Sequence, residues 1–235
     1  MPDFTTRSYT KELLDEPDIP FAHIAQNMRE LDYINQKLGG HRVTIKGFQN
    51  ILKRCPAITE KEIQVVEIGC GGGDNLRVLQ QWAHQHGLPV TLTGIDINEE
   101  CILFAKKESK NKGIHFIHSD YQSVPFEKSP HIIFSSLFCH HFTDEELILQ
   151  LSWMKQNTKA GFFINDLHRH PLAYYSIWGL TQLLSKSYLV KNDAPLSVRR
   201  GFVKKDWETL LTNAGVSNYT CQWQWAFRWL ITATC

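Results

Sequence analysis

Val65-Val66-Glu67-Ile68-Gly69-Cys70-Gly71-Gly72-Gly73-Asp74 is an apolar run stopped by a glycine loop, and helical spacing begins directly after it. A strand, loop and helix in this order make a ligand cradle. The glycines reach backbone angles that other residues avoid, and the amides opening the helix point into the same space. The bland alternative is a glycine-rich turn without a ligand. The dinucleotide pattern G-x-G-x-x-G fails in both registers, since Gly69 would need a glycine at Asp74 and Gly71 one at Leu76. Two acids, Glu67 and Asp74, flank the loop. They repel a pyrophosphate and attract a ligand that carries an ammonium or sulfonium.

S-adenosyl-L-methionine carries both cations and no phosphate, and Glu67-x-Gly69-x-Gly71-x-Gly73 resembles the first motif of the class I S-adenosylmethionine-dependent methyltransferases. The resemblance implies that Glu67, Gly69, Cys70, Gly71, Gly73 and Asp74 hold this cofactor.

Outward from the loop, strands and helices alternate. Gln64–Gly69, Val90–Ile97, Ile114–Ser119, His131–Leu137 and Gly161–Asp166 read as strands, with helices over Asn75–His86 and Glu99–Lys112. Thr143-Asp144-Glu145-Glu146 is a capping box for a helix that runs to Gln156. Strands separated by helices imply a parallel sheet with right-handed crossovers. The end breaks the rhythm. After a helix over Asp206–Ala214, the β-rich runs Val216–Trp225 and Phe227–Thr234 are too close for a crossover and must form an antiparallel hairpin. The expected fold is therefore α/β, a Rossmann-like, mostly parallel seven-stranded sheet with a C-terminal antiparallel hairpin, as in the class I methyltransferases.

Ahead of the sheet, Phe21, Ile24, Met28, Leu31 and Leu38 recur at helical spacing before Gly39-Gly40, and Val43–Leu52 predicts a second helix. Residues 1–19 are polar, with Pro2, Pro17 and Pro20 breaking any pattern, so a loosely held arm with one short helix around Thr10–Leu14 is expected. Residues 1–55 are expected to form a helical cover, and 56–235 the methyltransferase domain. The greasy stretch Leu172–Val190 reads as a helix, and from it a lid insertion at about 170–200 is expected within that domain.

Ligands of open α/β sheets bind at the carboxyl ends of the strands. Asp96 ends the second strand, about two dozen residues past the glycines, where such folds bind a ribose diol, and Ile97 lies beside it. By resemblance, Asp120 takes the adenine amine and Tyr121 lies along the base, although Asp120 also suits a helix cap. By the same resemblance, Ser136 and Leu137 at the end of the fourth strand are expected at the cofactor's methionine end.

Methyl transfer is an in-line attack on an activated methyl group, so positioning supplies much of the rate and no metal is required. A weakly acidic acceptor must still lose a proton, and histidine is the usual base. His140 and His141 follow the fourth strand, and His168 and His170 follow the fifth. His168 is the favoured base, with His140 second. The alternative for His168 is a structural histidine bonded to Asp166.

The chain is also similar to bacterial small-molecule methyltransferases of polyketide and aryl-lipid pathways, through Leu31-Asp32-Tyr33-Ile34-Asn35 with Gly39-Gly40-His41-Arg42, Asp166-Leu167-His168-Arg169-His170, and Ser197-Val198-Arg199-Arg200-Gly201-Phe202. That likeness implies O-methylation of an apolar, phenolic or quinol-like acceptor, with Tyr33, His41, Arg42, His141, His170 and Tyr174 facing it. Rival readings are carbon methylation of a quinone-type ring, a nicotinamide dehydrogenase and a non-catalytic cofactor-binding regulator.

The bulk numbers agree with a small-molecule partner. A chain of 235 residues with 43% apolar content and a net charge of +1 gives no electrostatic case for nucleic acid or an anionic membrane. No apolar run reaches spanning length and no signal peptide opens the chain, which points to the cytoplasm. The six cysteines Cys55, Cys70, Cys101, Cys139, Cys221 and Cys235 contain no C-x-x-C pair, so no metal framework is signalled. Monomer and homodimer are both compatible with the sequence.

Overall fold

The computed structural model describes residues 2–16, 18–60, 62–110 and 112–234. Pro17 and Cys235, both used above, lie outside them. Seven strands form one sheet: β1 (Ile63–Ile68), β2 (Val90–Asp96), β3 (Ile114–His118), β4 (Ile132–Ser136), β5 (Gly161–Leu167), β6 (Tyr219–Gln224) and β7 (Arg228–Thr234). Their order is β3-β2-β1-β4-β5-β7-β6, with β7 antiparallel to both neighbours and all other pairs parallel. The order reverses between β1 and β4, which puts a crevice at their carboxyl ends.

The strands alternate in the way a sheet buried on both faces requires. Val66, Ile68, Ile133, Phe162, Ile164 and Ile231 pack on one side beneath α5 (Asp144–Gln156) and α8 (Lys204–Asn213), where Trp207 is fully buried. Ile63, Val65, Ile132, Phe134, Phe163 and Leu230 pack on the other beneath α2 (Gly40–Arg54), α3 (Asp74–Gln85) and α4 (Glu99–Glu108). α2 comes close to the sheet because Gly47 has no side chain: a Cβ there would lie 2.4 Å from the Phe163 ring. That close approach sets the amino end of α2 beside the carboxyl end of β5. α1 (Phe21–Lys37) follows through Ile24, Ala25 and Met28, which pack on Cys101 and Phe104 of α4.

Two expectations are corrected. The stretch Leu172–Val190 is two helices, α6 (Pro171–Leu184) and α7 (Tyr188–Arg200), because Ser185 leaves helical angles and Ser187 caps the second with a bond from the Val190 N–H. The N-terminal arm is held fast. Arg7 is buried, donates Nε to the Arg200 carbonyl at 3.1 Å and Nη2 to the Phe142 carbonyl at 2.9 Å, and pairs with Asp144. Glu12 is buried as well, and the short helix Leu13–Asp15 receives the Asp193 carboxylate on its Leu13 and Leu14 amides. Such long-range polar contacts leave no periodic trace in a sequence. Among the described residues no helix is long and apolar enough to cross a membrane.

Candidate functional site

A cavity of about 1090 Å³ opens over the carboxyl ends of β1, β2 and β4 and is roofed by α1, α6, α7 and the turn between β6 and β7. At its floor the glycine loop turns on left-handed angles at Gly69, Gly71 and Gly73, with φ of 64°, 48° and 71°. The three glycines do different work. Gly69 lies against Phe138, whose ring a Cβ would meet at 2.1 Å, whereas a Cβ on Gly71 would meet no atom closer than 3.5 Å. Gly73 faces away from the cavity and packs on Phe116. It caps the start of α3.

Glu67, Cys70, Asp74, Asp96, Ile97, Ser136 and Leu137 all line the cavity. Asp96 accepts the Gly71 amide at 2.8 Å and the Asn98 amide at 2.9 Å, so the loop itself fixes its carboxylate, and burial holds its pKa above the ordinary value. Each oxygen keeps a lone pair for a further donor. Burial also raises Glu67 well above the carboxylate range, helped by the charge of Asp74, and its Oε2 is buried with no hydrogen-bond partner among the described residues. Burial works against the Asp74 charge too, but hydrogen bonds from His41 (2.8 Å) and Asn35 (3.1 Å) and the charge of Arg77 hold its pKa below the ordinary value. The floor is thus acidic, with one orphan carboxylate oxygen. Asp120 and Tyr121 are not brought to it: Asp120 caps the short helix Tyr121–Ser123, and Tyr121 packs on Phe138 and Trp153.

At the far end of the cavity stands His140. Its Nδ1 lies 2.7 Å from Asp166, which is fully buried at the end of β5, and its Nε2 lies 3.5 Å from Glu12. Burial opposes a charge on this ring, but Asp166 and Glu12 overcome it and push its pKa up to about 9. Glu12 is oriented by Ser197 at 2.7 Å, and the Arg200 Nε donates to the His140 carbonyl at 3.0 Å. His141, also on the cavity wall, faces Asp15 at 3.2 Å and Glu12 at 3.8 Å. Glu12, His140 and His141 lie close enough to hold a cation, as do Asp32, His41 and Asp74.

The expected base His168 is elsewhere. Beyond β5 the chain turns toward the hairpin, where the His168 amide bonds the Phe227 carbonyl and the ring sits among His170, Trp229 and the Trp223 indole, 3.2 Å from its Nδ1. Burial, with the charges of His170 and Arg169, lowers its pKa. The partner of Asp166 is His140, since β4 flanks β5 on the cavity side and β7 on the other. Of the expected acceptor residues only His141 lines the cavity. Tyr33 is exposed beneath Lys37, His41 is spent on Asp32 and Asp74, and Arg42 lies on an outer groove. His170 caps α6 and stacks on Phe227, and Tyr174 packs edge-on against Phe4 and Tyr175. Sequence reasoning missed Glu12 and Arg228, for which no local motif gives a signal, while Ala173, Ile177 and Leu180 of the greasy stretch do face the cavity.

Residues 65–161 match a family described as a methyltransferase domain. The chain is 33% identical over 64 residues to the phthiotriol/phenolphthiotriol dimycocerosates methyltransferase of Mycobacterium tuberculosis, and 33% identical over 63 residues to the fatty-acid O-methyltransferase of Mycolicibacterium smegmatis. Each match covers 27% of this chain and 22% of the relative, so the chain matches about a fifth of their length. Among solved structures, a plantazolicin methyltransferase in complex with SAH superposes with a TM-score of 0.61 at 22% identity, over 86% of this chain and 78% of that one. Residues 65–161 are thus similar to a methyltransferase domain, and they lie in a seven-stranded sheet that shares the fold of that solved methyltransferase.

Proposed function

We propose that the protein is an S-adenosylmethionine-dependent O-methyltransferase for a small, apolar acceptor with a weakly acidic hydroxyl, a phenol in the first instance. The observation that carries this reading is His140, clamped to Asp166 at 2.7 Å at one end of a cavity whose other end is the glycine loop.

The residues on the floor fit the cofactor. Asp96 offers its free lone pairs to the ribose hydroxyls, with Ile97 against the base. The acidic floor, and the orphan Glu67 oxygen in particular, suits a cationic amine. Ser136 and Leu137 flank the methionine end. Bound there, S-adenosylmethionine supplies a methyl group already activated by its sulfonium.

The chain's own part is to dock the acceptor hydroxyl at His140 Nε2 and take its proton. Asp166 holds the ring by Nδ1, which puts the lone pair of the neutral ring at Nε2, the nitrogen that faces Glu12, and stabilises the imidazolium that forms. Only the neutral ring takes the proton, so with a pKa of about 9 the step runs on the unprotonated fraction and gains with rising pH, and the phenol's own value of about 10 lies close enough that the transfer itself costs little. Glu12 steadies the charge, and Ala173, Ile177 and Leu180 supply an apolar wall. Residues 1–55 and 170–200 act as cover and lid. The fatty-acid relative keeps a carboxylic acid in view as acceptor. No metal is needed, since the sulfonium provides the activation, and a chelator should leave turnover within about twofold.

The test is transfer of a labelled methyl group from S-adenosylmethionine to a panel of phenols and long-chain carboxylic acids, with mass fragmentation of the product. A methyl ether or ester supports the reading. A carbon-methylated ring would reassign the acceptor atom, and micromolar cofactor binding with no product from any acceptor would favour a non-catalytic binder.

A further inference from the structure

Arg228 opens β7 and lines the cavity, yet it is buried to 3% exposure. Its Nη2 donates to Asn35 Oδ1 at 2.8 Å and its Nη1 to Asn165 Oδ1 at 3.4 Å. Both acceptors are neutral amides, and a guanidinium carries more N–H donors than these two bonds use. No carboxylate of the described residues reaches it at ion-pair distance, although the other buried arginines among them, Arg7, Arg169 and Arg200, each have one. A buried cation without a counter-ion is costly. Burial lowers its pKa to about 10, and Asp166 and Asp74 counter this only from a distance.

The surroundings are arranged to keep the guanidinium where it is. Asn165 is tied by its own amide to the Gly40 carbonyl at 3.2 Å and to Ser136 Oγ at 3.1 Å, and Asn35 to Asp74. The second glycine of Gly39-Gly40 is explained by this: a Cβ at Gly40 would stand 3.0 Å from Arg228 Nη2 and 2.7 Å from Asn35 Oδ1. The amino end of α2, which has no side-chain cap, begins at the same glycine and adds its positive dipole end. On a floor otherwise made of Glu67, Asp74 and Asp96, this is a built place for one anion.

We propose that Arg228, held by Asn35 and Asn165, is the carboxylate-binding residue of this cavity and pairs through its planar fork with a ligand carboxylate. Planar bidentate pairing is what a guanidinium offers and a lysine does not. The proposal rests on the reading of the cavity as a cofactor and acceptor site, and that reading supplies two sources of a carboxylate: the cofactor's amino-acid end, or an acceptor that is a carboxylic acid.

Calorimetry on the wild-type protein and on Arg228→Gln distinguishes them. One arm compares S-adenosylhomocysteine with its decarboxylated counterpart, and the other compares octanoate with octanol. If the cofactor is the source, the wild type prefers the carboxylate-bearing nucleoside by tenfold or more and Arg228→Gln reduces the preference below twofold. If the acceptor is the source, the same collapse occurs in the octanoate arm. Arg228→Lys keeps the charge without the fork and should fall between, and it carries the comparison if the glutamine variant does not fold. Retention in Arg228→Gln of whichever preference the wild type shows, or absence of both preferences in the wild type, would overturn the assignment. Failure of every nucleoside to bind while octanoate still senses Arg228 would sink the methyl-donor reading and leave the carboxylate site standing.

Discussion

The two ends of the cavity are built in opposite ways. The glycine-loop end comes from one contiguous strand, loop and helix, with Asp96 from the neighbouring strand, and much of it is main chain. The His140 end is assembled from side chains on four distant segments: Glu12 from the arm, His140 after β4, Asp166 on β5, and Ser197 and Arg200 on α7. A site made of backbone is fixed by local sequence, whereas one made of side chains depends on tertiary contacts that bring remote residues together. The first is suited to a constant ligand and the second to a variable one.

The sharpest way to break the contrast is at the loop. Gly69→Ala puts a Cβ into a left-handed residue and 2.1 Å from the Phe138 ring, and should cost about 2–4 kcal/mol of stability. Thermal denaturation measures it, and an unchanged Tm would show that the loop tolerates a side chain. Asp96→Ala, which also frees the Gly71 and Asn98 amides, should weaken S-adenosylhomocysteine binding by about 10–100-fold by calorimetry. Normal affinity would end the ribose assignment.

At the other end the effects should fall on rate and pH. If unprotonated His140 is the form that accepts the proton, kcat/KM rises with pH and levels off near its free-enzyme value of about 9. Asp166→Asn removes the negative charge that favours the imidazolium, so the rising limb should move about 1–2 pH units toward neutral while the plateau falls. A limb that stays in place would detach Asp166 from the base. The smallest effect belongs to His168→Ala, which should alter turnover by less than about threefold, because the ring packs on the hairpin and not on the cavity.

The same contrast explains what the sequence made legible. Apolar runs, glycine stops and the closely spaced final strands suffice for the seven strands, their mostly parallel pairing and the antiparallel end, since each is a local or nearest-neighbour feature, whereas the strand order is not. Asp96 was readable because its place after β2 is set by topology. His140 was readable only as one of four histidines. Choosing it over His168 needs the knowledge that β5 lies between β4 and β7, and that the chain after β5 turns to the β7 side. Glu12 was hidden in a polar arm with no periodicity, and Arg228 in a hairpin strand where nothing local marks it as buried without a counter-charge.

The central claim is that one end of the cavity binds the methyl donor and the other removes the acceptor's proton through His140. It is tested most directly by His140→Ala, measured at once for S-adenosylhomocysteine affinity by calorimetry and for labelled methyl transfer to the acceptor the wild type uses. The account predicts affinity within about threefold of wild type and transfer slower by about 10²–10⁴-fold. Full transfer rate in the variant would contradict it.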